Sequence, residues 1–151
     1  MAGLKLRAAD VEDLSVISAI LQDSLVTIGE MVYLPDEHRF VLVANRFRWE
    51  RRPGEARKNA ERVLTGLCID GVKAVRRRGF SPRDEDRILS LLAIRAQSSA
   101  QSPDQPAALL LEFAGGSSIR LEVGRLLCHL DDLGEPWPTR WRPKHPVADA
   151  D

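Results

Sequence analysis

The sequence predicts an α+β fold in which a short N-terminal helix precedes a curved antiparallel sheet of about six or seven strands. Apolar residues recur at helical spacing in one early stretch and again over 124–133, whereas most of those between alternate with polar residues as in half-buried strands. The strand-like stretches follow one another without intervening helices, which argues against a doubly wound nucleotide-binding fold.

The helix is predicted to begin after Asp10, whose carboxylate can accept hydrogen bonds from the first free N–H groups. Its end is expected between residues 18 and 23. One helical face carries the apolar residues Val11, Leu14, Ile17 and Leu21.

The first hairpin is predicted to join residues 25–34 to residues 39–50 through a turn at 35–38. Gly29 interrupts the first strand, as a bulge or bend would.

In the second strand of this hairpin, Phe47 and Trp49 are expected to face the core, with Arg46 and Arg48 on the opposite side. A polar loop is expected at 51–61.

Residues 62–77 are predicted to form one or two strands, with Asp70-Gly71 as a hairpin turn or a bulge. A further strand is predicted at 88–96. Gly115-Gly116 then predicts a hairpin, whose strands are 109–113 and 119–123.

Residues 124–133 fit either a bulged strand or a short helix, and the lack of β-branched residues after Val123 favours the helix. With such a helix, the order of elements is similar in outline to a pleckstrin-homology-like barrel, by analogy only. A single domain is expected over 1–146, with a disordered tail at 147–151.

The composition is that of a soluble globular chain: 151 residues, of which 44% are hydrophobic and 29% are charged. It excludes a collagen-like, rod-like or wholly disordered protein. The sequence has neither a signal-peptide pattern nor an apolar run long enough to cross a membrane, so a cytoplasmic location without membrane attachment is expected.

No pattern of residues identifies a reaction. The histidines and cysteines lack metal-ligand spacing, and Gly115-Gly116 lacks the lysine and helix of a phosphate-binding loop, so neither a metal nor a cofactor is predicted. If the chain is an enzyme whose site assembles in space, Cys68, His38 and His129 are the first residues to test.

The charges are unevenly distributed, although the net charge is zero. Residues 39–83 carry 13 basic and 4 acidic side chains, and such a segment can bind an anionic partner or pair with the acidic ends of its own chain. The candidate anion-binding residues are Arg46, Arg48, Arg51, Arg52, Arg76, Arg77 and Arg78.

Three functions therefore stay open. The first is a non-enzymatic interaction or scaffold module that binds a protein partner, or forms a homodimer through a sheet edge or through Trp137 and Trp141. The second is binding of nucleic acid or another polyanion by the arginines. The third is an enzyme whose site the sequence does not reveal.

Several strings resemble a bacterial family of small uncharacterised proteins, the domain of unknown function DUF2948. They are Asp10–Asp23, Asn45–Glu50, Leu89–Ile94, Phe113–Gly116, Ile119–Val123 and Leu130–Gly134. The resemblance covers residues 4–145 roughly and implies a stand-alone cytoplasmic bacterial protein, with no activity, cofactor or catalytic residue attached to it.

Overall fold

A computed structural model describes residues 3–48, 61–98 and 105–134, together with the backbone of 137–138. These parts contain one α-helix, α1 (Val11–Leu21), and ten strands. The strands are β1 (Lys5–Ala8), β2 (Leu25–Leu34), β3 (Arg39–Phe47), β4 (Glu61–Asp70), β5 (Val72–Arg78), β6 (Ile88–Ser98), β7 (Pro106–Phe113), β8 (Ser118–Val123), β9 (Cys128–Asp132) and β10 (Trp137–Pro138). The predicted tail at 147–151 lies outside the described residues.

The strands pair antiparallel in the order β1-β9-β4-β3-β2-β6-β7-β8-β5, and β10 pairs with the beginning of β4. The α+β class is confirmed, but the sheet is larger than the six or seven strands expected. The additional strands β1, β9 and β10 have two to five residues. Alternation over the few residues of β1 and β10 is too short a pattern to recognise in a sequence, whereas β9 is the strand alternative that the sequence left open for residues 124–133.

The sheet curves so that both of its halves cover one core. Only three residue pairs, Leu25–Thr27 with Ile88–Ser90, join β2 to β6 at the middle of the sheet. Yet Phe40 and Ile69 from one half belong to the same buried cluster as Leu111 and Ile119 from the other. One face of the sheet is therefore the core face, and the other is the outer face.

Helix α1 covers this core as the sequence predicts. The Asp10 carboxylate accepts a hydrogen bond of 2.8 Å from the Asp13 N–H, and the helix ends at Leu21, within the expected range. Leu14, Ile17 and Leu21 are buried. The helix is fixed to β6 by a 2.9 Å hydrogen bond from the Ile94 N–H to the Ser18 hydroxyl.

The first predicted hairpin is confirmed as β2 paired with β3. The predicted irregularity at Gly29 is also present, because the register between the two strands shifts between Val26 and Met31. The Gly29 N–H donates instead to the Glu85 carbonyl at 2.9 Å. This stretch of β2 therefore leaves β3 and turns towards β6.

The predicted orientation of β3 is wrong where the structure describes it. Phe40, Leu42, Ala44 and Arg46 alternate onto the core face, and Phe47 is only half-buried. Arg46 can lie inside because an acidic residue neutralises it there, as described below. Trp49, which was expected to share a face with Phe47, lies outside the described residues.

Asp70-Gly71 turns the chain between the two halves of the sheet and does not close a hairpin. β4 pairs with β3 and β9, whereas β5 pairs with β8. Gly71 has a φ of +73°, in the left-handed region that glycine adopts without steric cost. Residues 62–77 are therefore two strands that belong to different parts of the sheet.

The second predicted hairpin is confirmed. β7 and β8 pair in register, and a short kinked turn over Ala114–Gly116 joins them. Gly115 and Gly116 have φ values of +82° and +85°, so the two glycines supply the positive φ that the sequence predicts for this turn.

The expected C-terminal helix is wrong, because Cys128–Asp132 is strand β9 between β1 and β4. Cys128 and Leu130 enter the core, and His129 and Asp131 remain exposed. The analogy with a pleckstrin-homology-like barrel depended on that closing helix, which is absent from the described residues. The helical spacing of leucines over 126–133 misled the prediction, since the same residues also alternate with period two.

Candidate binding surface

The seven candidate arginines occupy different environments. Arg46 is completely buried, and its Nε and Nη2 donate to the two carboxylate oxygens of Asp132 at 3.0 and 2.7 Å. Its Nη1 donates to the Phe47 carbonyl at 3.0 Å. The guanidinium of Arg46 thus holds the fold together from within and does not reach the surface.

Arg48 lies at the same end of β3 and is also engaged within the chain. Its Nη1 is 2.6 Å from Glu61 Oε1. Next to it, the guanidinium of Arg62 stacks on the Phe47 ring, 3.7 Å from the ring centroid. Arg51 and Arg52 lie outside the described residues.

Arg76, Arg77 and Arg78 lie together on β5, which is separated from β3 by four strands in the sheet order. Arg76 and Arg78 are exposed and Arg77 is half-exposed. Register explains the difference. Arg76 is paired with Arg120 and Arg78 with Ser118 on the outer face, whereas Arg77 is paired with the buried Ile119.

Four neighbouring strands place a row of side chains across the outer face. Arg76 of β5 is opposite Arg120 of β8, Arg120 is opposite Leu110 of β7, and Leu110 is opposite Arg95 of β6. Directly opposed like charges destabilise a sheet. We call the exposed guanidinium groups of Arg76, Arg78, Arg95 and Arg120 the arginine surface.

Two carboxylates offset part of this charge. Glu122 Oε2 lies 3.6 Å from Arg76 Nε and 3.8 Å from Arg120 Nη1, so one acid is shared by two bases. Glu112 pairs with Arg95. Within the described chain, no carboxylate forms an ion pair with Arg78. The arginine surface therefore retains an excess of positive charge.

A groove of about 660 Å³ runs beside this surface. Its walls include all three arginines of β5, together with Arg120 and the side chains of Ser117 and Leu92. Leu92 is 45% exposed, which is high for a leucine in a strand. The groove thus combines guanidinium donors, a hydroxyl group and an apolar wall.

Sequence reasoning did not find Arg95 and Arg120. Arg120 alternates with the inward Ile119 and Leu121, which indicates an outward side chain. The alternation does not show which residues lie next to Arg120 on the neighbouring strands. The missing information was the pairing of β5 with β8, two strands that are separated by β6 and β7 in the chain.

The candidate catalytic residues are only partly brought together. Cys68 and His129 are opposite each other on β4 and β9, and His129 Nδ1 is 3.7 Å from Asp70 Oδ2. Burial, and then the nearby Asp70 carboxylate, raise the pKa of the Cys68 thiol, which disfavours the reactive thiolate. His38 is in the left-handed conformation at the beginning of β3, beyond Asp70 in the register.

Each of the two acidic runs, 84–86 and 131–132, supplies a carboxylate to the fold. Asp84 Oδ2 accepts a hydrogen bond from the Ser81 N–H at 3.3 Å, which closes a surface turn. Asp131 points outwards, 4.0 Å from Lys5 Nζ, whereas Asp132 points inwards to Arg46. Adjacent acids in a strand thus lie on opposite faces and do not form a carboxylate pair.

The described residues show neither a metal cluster nor a membrane-spanning helix. They contain no group of three or more histidine, cysteine, aspartate or glutamate side chains placed to hold a metal ion. Helix α1 is too short to traverse a lipid bilayer, and no other described helix is long and apolar enough.

Comparison with known proteins gives a family but no characterised relative. No curated protein and no solved structure matches the chain. The family described as "Protein of unknown function (DUF2948)" matches residues 4–145, which includes every described strand and the helix. The chain belongs to this DUF2948 family of proteins of unknown function.

Proposed function

We propose that this chain is a non-enzymatic interaction module that binds an acidic surface of a partner protein through the arginine surface. The observation that carries the proposal is the row Arg76–Arg120–Leu110–Arg95 across four strands. Opposed arginines disfavour the isolated fold, and an acidic partner would relieve their repulsion.

The chemistry of this face favours a protein partner over nucleic acid. Arginine is enriched at protein interfaces, and Leu92 and Leu110 supply the apolar contact that such interfaces bury. Proteins that bind single strands offer open aromatic rings for base stacking. Here Phe113 is buried, and Phe80 packs edge-on against it with the ring centroids 6.4 Å apart.

A non-enzymatic role is supported by how the chain uses its reactive groups. The inward acid of β9 neutralises Arg46. The Asp84 carboxylate closes a turn, and the thiol of Cys68 has a raised pKa.

The test is binding of fluorescent probes, followed by anisotropy over a salt series. The probes are a polyglutamate peptide, an acidic peptide with interspersed leucines, and single- and double-stranded DNA. We expect both peptides to bind, more weakly as salt rises. The double variant Arg76→Glu/Arg120→Glu should lower their affinity about tenfold or more.

The matched control is Arg7→Glu, a charge reversal of an exposed residue on β1, at the opposite end of the sheet order. It should leave peptide binding unchanged. Tighter binding of DNA than of the peptides would identify nucleic acid as the ligand. The excess of arginine on this surface is compatible with such a ligand as well. No binding of any probe at low salt would overturn the proposal.

A further inference from the structure

Strand β5 is an edge of the sheet in the described chain. The strand order ends at β5, and β8 is its one strand partner there. At its beginning, the Val72 N–H donates to the His38 carbonyl at 2.8 Å, and the Val72 carbonyl accepts from the Tyr33 hydroxyl at 3.3 Å. From Lys73 onwards, no other described strand pairs with the outer side of β5.

An edge strand presents N–H and C=O groups that can pair with another strand. The six residues of β5 from Lys73 to Arg78 span about 20 Å at the usual rise of a strand, the length of an ordinary strand. The arginines of its second half also line the groove of about 660 Å³ on the outer face, so acidic side chains of an incoming segment could reach guanidinium groups there.

The charge of β5 selects what can be added. Four of its seven residues are basic and none is acidic. A second copy of β5 would place arginines against arginines, so the edge resists self-pairing. A segment with acids at every second residue would instead place its carboxylates beside Arg76 and Arg78, which share the outer face.

The intervening residues of such a segment would lie on the core side of the edge. Val75 and Arg77 are on that side, paired with the buried Leu121 and Ile119. Val75 and Phe80 are half-buried hydrophobic residues packed against the core. Apolar residues at these alternate positions would extend that packing.

We propose that β5 binds an extended segment of a partner protein as an additional strand, in which acidic and apolar residues alternate. This inference rests on the proposed function, because it takes the partner to be an acidic protein, and it adds the mode of binding. The recognition would combine backbone hydrogen bonds with ion pairs to Arg76 and Arg78.

Two N-methylated peptides test the mode of binding. The parent probe is an eight-residue peptide of alternating glutamate and valine. One derivative carries N-methyl groups on the glutamates and the other carries them on the valines. In an added strand only alternate N–H groups point to the sheet, so one derivative should lose affinity about tenfold or more and the other should retain it.

Hydrogen exchange supplies a second readout. The parent peptide should slow exchange of the β5 amides from Lys73 to Arg78 and leave those of β1 unchanged. The variant Arg78→Glu should lower the affinity for the parent peptide, whereas Arg7→Glu on β1 should leave that affinity unchanged.

The outcomes separate this inference from the proposed function. If the parent peptide binds and both derivatives bind equally well, strand addition is overturned while the arginine surface stands. The same holds if polyglutamate binds and the parent peptide does not. If no acidic peptide binds, both proposals fail, and the basic edge serves only to prevent self-pairing.

Discussion

Arg46 and Asp132 form an ion pair that solvent scarcely reaches, with side-chain exposures of 0% and 4%. Strands β3 and β9 meet at this pair together with the residue before β1, because the Leu4 N–H also donates to Asp132 Oδ2 at 2.8 Å. Removing one charge of such a pair leaves the other buried without compensation, which is the costly way to break it.

Asp132→Asn should therefore lower the free energy of unfolding by about 3–5 kcal/mol. Urea unfolding followed by circular dichroism measures the loss. Asp131→Asn, the same change at the adjacent exposed position, should stay within about 0.5 kcal/mol of the wild type. Equal effects of the two substitutions would show that the buried pair contributes nothing particular.

The same pair makes stability depend on pH. Burial acts to raise the pKa of Asp132, but the hydrogen bonds from Arg46 and from the Leu4 N–H outweigh it, so the folded pKa lies below the ordinary value. A depressed folded pKa stabilises the protein above the unfolded pKa of about 3.9. This contribution is lost as the pH falls through the folded pKa.

The stability difference between wild type and Asp132→Asn should consequently shrink as the pH falls from about 5 to about 2. Urea unfolding at a series of pH values measures it. The corresponding difference for Asp131→Asn should change far less. A difference that is independent of pH would mean that Asp132 is not the group that titrates.

Among the elements, the bend at Gly71 decides which strands can pair. It directs β4 towards β3 and β9 and frees β5 to reach β8. Its φ of +73° would place an added Cβ in an unfavourable backbone conformation, 3.4 Å from Arg125 Cγ.

Gly71→Ala should thus destabilise the fold by about 1 kcal/mol or more. Gly66→Ala is the matched control, because Gly66 lies within β4 and an added Cβ would meet the Leu133 side chain at 3.6 Å and the Asp131 carbonyl at 3.9 Å, both ordinary contact distances. The midpoint of urea unfolding should fall for the first variant and stay or rise for the second. A fall of the same size for both would remove the role given to the bend.

The elements also show what a sequence can predict. Asp10 and Gly115-Gly116 act on neighbours a few residues away, so α1 and the hairpin of β7 with β8 could be predicted correctly. The pairings of β5 with β8 and of β4 with β9 depend on residues far apart in the chain, and no local pattern encodes them.

The same limit applied to the candidate site. The clustering of arginines could be seen in the sequence. The sequence did not show which of their side chains are buried in the core and which are exposed. Arg46 became a buried partner of an acid 86 residues away, and Arg120 joined the surface only through its strand pairing.

For the whole molecule, the order of strands predicts where the backbone opens first. β5 and β1 end the sheet, whereas β3 and β7 have partners on both sides. Hydrogen exchange should be about tenfold or more faster in β5 than in β7. Measurement by mass spectrometry with β3 as the protected reference checks this, and equal protection of β5 and β7 would contradict an open edge.

The hydrogen bond from Leu4 to Asp132 spans 128 positions of the chain, and this distance governs how the protein can be made. A ribosome would release β1, α1, β2 and β3 long before β9. During that interval the guanidinium of Arg46 has no Asp132 to neutralise it, so the first half of the sheet cannot close its core. Folding is therefore completed only after residue 132 has left the exit tunnel.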